Sequence, residues 1–600
     1  MNPVIEKVTQ RLIGRSQKNR TAYLAKMQST MQNNPPKKRL SCGNMAHALA
    51  ASPDSDKTNL RSGKNINLGI ITAYNDMLSA HQPYADYPQM IKQHAANLGV
   101  TAQVACAVPA MCDGVTQGQP GMELSLFSRD VVAMATAIGL THNMFDASLF
   151  LGICDKIVPG MVIGALRFGH LPALFVPAGP MASGIPNKQK AAKRQEFAQG
   201  KIDKEEMLDV ELSSYHSAGT CTFYGTANSN QMLMEMLGVQ LPNSSFVHPH
   251  SDLRKALNRE IVRIAVDNTQ ASGNYRPLYE IVTEKSLVNA IVGLLATGGS
   301  TNHCLHLIAI AKAAGIDLHL EDLDELSTAV PLLARVYPNG LADVNHFHAA
   351  GGISFLVKEL RKQGFLNEDV SNILGQGLDY FCNTPELNGK GELVWTAINE
   401  VSGDEEVLRP VANPFSGNGG LRLLDGNLGK AIIKVSAIKE EHYIVEAPCK
   451  IFHSQDEFIE SFNKGELFQD LVAVLRFQGP AAIGMPELHK LTPLLGIVQD
   501  QGRQVALVTD GRMSGASGKV PAAIHCSPEA LKGGMLAKLQ DGDVIRLDAT
   551  QGVLTCLVDD TELAAREAAH FEPEATNLGR DLFEIFRVNV SNSEEGAAVF

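Results

Sequence analysis

The 600-residue sequence is short of several things, and each shortage removes a class of protein. Its ten cysteines fall at no paired spacing and form neither a CxxC nor a zinc-finger pattern, so they read as reduced thiols, some available as metal ligands, and not as a disulfide framework. No uninterrupted apolar run approaches the roughly 20 residues that a membrane span needs. The opening MNPVIEKVTQRLIGRSQKNR mixes both charge signs with scattered aliphatics and lacks the apolar centre of a signal peptide, so a cytoplasmic location is expected. Long basic runs and aromatic-basic interleaving are also missing. With 52 Lys+Arg against 64 Asp+Glu the net charge is −12, which argues against nucleic acid as the main partner and requires any anionic substrate to find a local basic pocket.

What is present describes a large soluble α/β protein. Domains run to roughly 100–200 residues, so this length predicts two to four units. A polar, irregular stretch over 365–410 reads as the connection between a large N-terminal α/β/α domain, residues 1–405, and a smaller C-terminal β-rich swivelling β/α domain, residues 406–600. Val4, Ile5, Val8, Leu12 and Ile13 recur at helical spacing until Pro35-Pro36. This arm is expected to pack on the body or to contact a second copy in a homodimer.

The chemistry concentrates where apolar runs end. In LGICDKIVPGMVIG, residues 151–164, a thiol, a carboxylate and an amine occupy Cys154, Asp155 and Lys156, between an apolar run and Pro159-Gly160, which reads as a turn. Strand ends are where α/β proteins place ligands. Asn67–Ala73 delivers Asn75, Asp76 and His81 in the same way, and Thr101–Met111 leads into Cys112-Asp113-Gly114. Asp113 and Asp155 together make a candidate pair of hard oxygen ligands for Mg²⁺. Cys221 lies in a Gly/Ser/Thr-rich loop ahead of a helix, and Lys188, Lys190, Lys193 and Arg194 form the densest basic group near these loops. Ser300 and Thr301 are candidate N-caps of an apolar helix, on which His303 and His306 read as packed or exposed side chains, since no HExxH or HxxxH pattern is formed. Beyond the connection, two loops carry polar groups, one ending at Glu487 and one, VTDGRMSGASGK, containing Ser514.

Taken together, GICDKIVPG, CDGVTQGQPGMELSLFSRD, GTCTFYGTANSNQM, LATGGSTNHCLHL, GMPELHKLTPLLG and VTDGRMSGASGKVPAAIH resemble the dihydroxy-acid and sugar-acid dehydratase family over nearly the whole chain. YNDMLSAHQPY, GPMASGIPNK and PNGLADVNHFHAAGG resemble the branch that converts 6-phospho-D-gluconate to 2-dehydro-3-deoxy-6-phospho-D-gluconate in the Entner-Doudoroff pathway. The resemblance implies a hydro-lyase with an iron-sulfur cluster, four-iron before two-iron, held by Cys154 and Cys221. It also implies Mg²⁺ on Asp113, Asp155 and Glu487, with Lys156, carbamylated in some relatives, adding an oxygen, and Ser514 as base. Relatives with three cysteine ligands carry the first in the segment matching Asp76 to Pro83, which has no Cys here, so His81 and Cys112 stand as alternatives for the third. Dihydroxy-acid and non-phosphorylated sugar-acid substrates are the competing enzyme readings. An iron-sulfur sensor is the non-enzyme reading, and it leaves the carboxylates unexplained.

Overall fold

The computed structural model describes residues 1–32, 35–61, 63, 65–198, 200–513, 518–572 and 579–600. Strand β1 (Asn67–Thr72) is buried along its whole length, as a strand covered on both faces must be, and β2 (Thr101–Ala107), β3 (Ala147–Leu151) and β4 (Ala173–Phe175) join it in a parallel sheet of order β2-β1-β3-β4. The helices Tyr87–Asn97, Ser125–Leu140 and Ile157–Arg167 connect successive strands. Because the chain leaves β1 for β2 on one side and returns to β3 on the other, the carboxyl ends of β1 and β3 flank a switch point, the usual place of a ligand crevice.

Two short hairpins follow, β5 (Ser371–Asn372) with β6 (Gly375–Gln376) and β7 (Asn383–Leu387) with β8 (Leu393–Ala397), so the stretch read as an irregular connection carries its own strands. The second sheet collects β9 (Leu421–Leu424), β10 (Lys430–Lys434), β11 (Ile444–Phe452), β12 (Leu471–Leu475), β13 (Val505–Thr509), β14 (Ala522–Ser527), β15 (Val544–Asp548) and β16 (Val553–Cys556). Its order is β16-β15-β11-β12-β13-β14-β10-β9, with a parallel centre from β11 to β14 and antiparallel flanks. The loops after β12 and β13 carry Glu487 and Arg512 toward the first sheet.

The two halves are fastened at that meeting. Thr301 Oγ1 donates to the Met513 carbonyl at 2.6 Å, and Lys434 Nζ donates to the carbonyls of Gly298 and Gly299 at 2.6 and 3.1 Å. Gly484, at φ +79°, sits so close to Glu123 that a Cβ would fall 2.1 Å from its carbonyl oxygen; both the left-handed backbone and the contact demand glycine. Among the described residues no helix is long and apolar enough to cross a membrane.

Two local expectations are corrected. Pro159 and Gly160 do not form a turn but lie in the helix Ile157–Arg167, because proline is tolerated in a helix's first turn, where its missing N–H has no partner to lose. Ser300 and Thr301 are not the N-cap of the helix His303–Ala313, which starts from Asn302 without a side-chain cap; the Ser300 hydroxyl bonds to Thr226 and accepts from Asn302 N at 3.3 Å, and that of Thr301 donates to Met513.

Candidate functional site

Asp113 begins a single helical turn after β2, Asp155 follows β3, and Glu487 comes from the loop after β12. Oxygens of the three carboxylates lie within 4.8 Å of one another, a group that could hold a metal ion. Two buried cations run through them. Lys156 Nζ is 2.5 Å from both Asp113 Oδ2 and Asp155 Oδ2, where a cation shared by the two aspartates would sit. Arg512 Nη1 is 2.5 Å from Glu487 Oε2 and 3.5 Å from Asp155 Oδ2, and its Nη2 is 3.3 Å from Asp113 Oδ2. Three carboxylates against two cations leave one net negative charge, so the site as it stands favours a further cation. All-oxygen donors suit a hard cation such as Mg²⁺.

The electrostatics favour the charged forms of Asp155 and Arg512. Burial works against a charged Asp155, but Lys156, the hydrogen bond from His306, and Arg512 outweigh it and hold the carboxyl well below its usual range. Burial likewise opposes the Arg512 charge, and Glu487, Asp113 and Asp155 more than restore it. Outer contacts orient the ligands: Ser125 Oγ donates to Asp113 Oδ1 at 2.5 Å, Asn302 Nδ2 to Glu487 Oε2 at 3.2 Å, and Arg512 Nε to the Met485 carbonyl at 2.8 Å.

Beside the carboxylates stand thiols. Cys154 is buried at φ +78°, a left-handed conformation rare for a residue with a Cβ, and Asn230 Nδ2 secures the strained turn by donating to the Cys154 and Asp155 carbonyls at 3.0 and 2.8 Å. Burial raises the Cys154 thiol well above its ordinary value, with Cys112, Cys221 and Asp155 adding to it. Burial and then Cys112 push Cys221 up to about 12, despite Lys190. Cys112, Cys154 and Cys221 are thus within Coulombic range of one another. Neither Cys154 nor Cys221 is set up as a free thiolate nucleophile, and a metal centre that displaces their protons would supply the missing positive charge. Three convergent thiols fit an iron-sulfur cluster. His81 is fully buried, and burial lowers it to about 4 against the opposing effect of the Ala73 backbone.

Among the basic residues after the SGIPN loop, Lys193 is spent on Glu196 and Glu206 at 2.9 and 3.2 Å. Lys190 and Arg194 share Glu211 at 3.3 and 2.7 Å, and Lys190 Nζ lies 3.9 Å from the centre of the Tyr215 ring. Exposed Lys188 makes no ion pair among the described residues. Ser514 lies outside the described residues. Arg512, Ser125, Asn302 and Asn230 escaped the reading of the sequence, and His306, read there as packed or exposed, is packed and also meets Asp155. For Arg512 a signal existed, a lone arginine between glycine and methionine at a strand exit; the others need the fold. A cleft of about 620 Å³, lined by Glu123, His453, Gln478, Glu487 and Lys490 among others, opens beside Glu487 between the halves.

This architecture, a carboxylate group and a thiol group at the carboxyl ends of parallel strands, closed by a second sheet, defines an α/β protein with a group of carboxylates that could hold a metal ion. The chain matches the family described as Dihydroxy-acid/6-phosphogluconate dehydratase, its N-terminal part over residues 66–381 and its C-terminal part over 406–597, and it belongs to that family. It is 58% identical to the phosphogluconate dehydratase of Pseudomonas aeruginosa, over 100% of this chain and 99% of that protein. It is 53% identical to the phosphogluconate dehydratase of Escherichia coli, with the same coverage, and 32% identical to the dihydroxy-acid dehydratase of Ignicoccus hospitalis, over 89% of this chain and 94% of that one.

Proposed function

We propose that the chain dehydrates 6-phospho-D-gluconate to 2-dehydro-3-deoxy-6-phospho-D-gluconate. The observation that carries the reading is the placement of a carboxylate triad beside one buried and two half-buried thiols, in a chain similar along its whole length to phosphogluconate dehydratases. Cys112, Cys154 and Cys221 are read as cluster ligands, Cys112 being preferred to His81 as the third because its charge acts on both other thiols. Three thiols on a four-iron cluster leave one iron without a protein ligand. Asp113, Asp155 and Glu487 are read as Mg²⁺ ligands, with Lys156 contributing an oxygen once carbamylated. Residues 1–405 form the unit holding cluster and cation, and 406–600 the unit that closes the site.

Elimination needs the C2 proton removed and the C3 hydroxyl expelled, both hard at neutral pH. When bound, the cluster and the cation supply Lewis acids for the C3 hydroxyl and for the carboxylate with the C2 oxygen. The protein's part is placement. Asp113 and Asp155 come from rigid strand ends, Glu487 closes from the second sheet, and Arg512 holds the triad together while adding positive charge where enolate charge develops. Ser514 is read as the base for the C2 proton, and Met513, the described residue before it, is held by Thr301. The enol left after hydroxide departs tautomerises to the 2-keto acid. For the phosphate, Lys190 and Arg194 are the cations of choice, two charges on one carboxylate beside the Cys221 loop.

A cytoplasmic homodimer accompanies the reading. Exposed Leu582, Ile585 and Val588, at helical spacing, form an apolar stripe that a second copy would cover, and light scattering on the full chain tests it. The activity is tested by incubating anaerobically purified protein with 6-phosphogluconate, gluconate and a branched 2,3-dihydroxy acid and measuring 2-keto acid. Preferential turnover of the phosphorylated substrate is expected; turnover of the branched acid alone would replace the reading with its nearest competitor.

A further inference from the structure

The C-terminal segment folds back under the carboxylate site. Gly596, at φ +90°, sits against the helix His303–Ala313 so tightly that a Cβ would lie 2.9 Å from Ala309 N and 3.1 Å from the Leu305 carbonyl. From this turn the Gly596 and Ala597 carbonyls accept from Arg129 Nη1 and Nη2 at 3.0 and 2.7 Å. Arg129 is completely buried; its Nε donates to Asp130 Oδ1 at 2.8 Å, and Asp130 Oδ2 accepts from Val599 N at 3.0 Å. The chain end and the Arg129-Asp130 pair thus hold each other in place.

Arg129 Nη1 also meets His306 Nδ1 at 3.4 Å. A guanidinium has donors and no acceptor, so Nδ1 must be the accepting nitrogen and the proton of the neutral ring must sit on Nε2. Nε2 faces Asp155 Oδ1 at 3.3 Å and donates to it. The other oxygen, Oδ2, is then the one turned to Lys156 and Arg512. We infer that His306, its tautomer set by Arg129 and the C-terminal turn, is a positioning residue that holds Asp155 with Oδ2 toward the cation site. The segment 596–599 is therefore part of the site's support, although it follows every proposed ligand in sequence. The inference rests on the reading that the carboxylates take a divalent cation.

Outer-shell partners of metal ligands are worth about 10–100-fold in metal affinity. Mn²⁺ binding to the full chain, purified without oxygen and without substrate, is read by electron paramagnetic resonance. His306→Phe is expected to weaken Mn²⁺ binding by about 10–100-fold. His306→Gln, which keeps a side-chain N–H, should recover most of it, and Arg129→Met should weaken binding while leaving the thiol-held iron content unchanged. Wild-type Mn²⁺ affinity in a folded His306→Phe protein, or equal losses in the Phe and Gln variants, overturns the positioning role. If Arg129→Met binds Mn²⁺ as wild type does, the link to the chain end is wrong. Wild-type protein that binds no Mn²⁺ overturns the cation reading itself, and the inference with it.

Discussion

The two halves build the site by different means. The parallel sheet supplies groups from successive strand exits, Asp113 after the partly buried edge strand β2 and Cys154 to Lys156 after β3, which is buried along its whole length. The second sheet supplies one carboxylate and one guanidinium from loops, and these reach the first half only when the sheets are closed on each other. In the proposed reading the first half holds the thiols and two of the three carboxylates, and the cation site is complete only where Glu487 joins them from the second half. The sharpest way to break the comparison is at Cys154, which belongs wholly to the first half. Cys154→Ser, purified without oxygen, should lose visible iron-sulfur absorption and all activity while binding Mn²⁺ normally. Full iron content with turnover would remove the cluster assignment.

Acid should also separate the halves. Burial lowers His81, His170, His306 and His348 to about 4 and His303 to about 3, all in the first half, against His525, also at about 3, in the second. The sign follows from proton binding: below the ordinary value of 6.5 the unfolded chain takes protons that the folded one refuses, so stability is intact above 6.5 and falls as pH drops toward the folded values. Each such histidine loses about 1.4 kcal/mol per pH unit, or about 2 kcal/mol by pH 5. The sole tryptophan, Trp395, lies in β8, so its fluorescence follows the first half alone. Its urea midpoint should fall steeply between pH 6.5 and pH 5; a flat profile would mean that these rings are solvated in solution.

Glu487→Gln probes the other side of the comparison. It leaves the thiols untouched but removes the carboxylate 2.5 Å from buried Arg512. A broken buried pair costs about 3–5 kcal/mol, toward the low end here because Asp113 and Asp155 still face the guanidinium. Turnover should fall by about 10²–10³-fold, as when a preorganised electrostatic group is lost. Iron content unchanged with activity lost is the expected pattern; unchanged activity would mean that the second half does not complete the site.

Legibility from sequence followed the same division. Asp113, Cys154, Asp155 and Glu487 stand out because polar residues at the end of an apolar run have few structural reasons to be there. Arg129, Ser125 and His306 do not, because they sit on helices whose periodicity is satisfied by packing; only the fold shows that the polar edge of the helix His303–Ala313 meets Asp155. Pro159-Gly160 misled because a proline in a first helical turn and a proline in a loop look alike in sequence. The gathering of Cys112 with Cys154 and Cys221 spans more than a hundred residues and depends on the β2-β1-β3 strand order, which no local pattern encodes.

The smallest effect concerns the phosphate. Of the four basic residues near the Cys221 loop, Lys193 is matched by Glu196 and Glu206, whereas Lys190 and Arg194 divide the single charge of Glu211. Two cations on one carboxylate leave a net positive charge, and Lys190 is held rigid by its stacking on Tyr215. A phosphate at C6 would complete the balance, whereas an unphosphorylated sugar acid has nothing to offer there. A charge-assisted hydrogen bond is worth about 1.5–3 kcal/mol, or about 10–100-fold. Lys190→Met or Arg194→Met should therefore raise KM for 6-phosphogluconate by that factor and leave KM for gluconate nearly unchanged, while Lys193→Met should alter neither. Measured side by side, equal losses on both substrates would show that Lys190 and Arg194 only pin the helix Asn187–Ala198 to its neighbour and that the phosphate is met elsewhere.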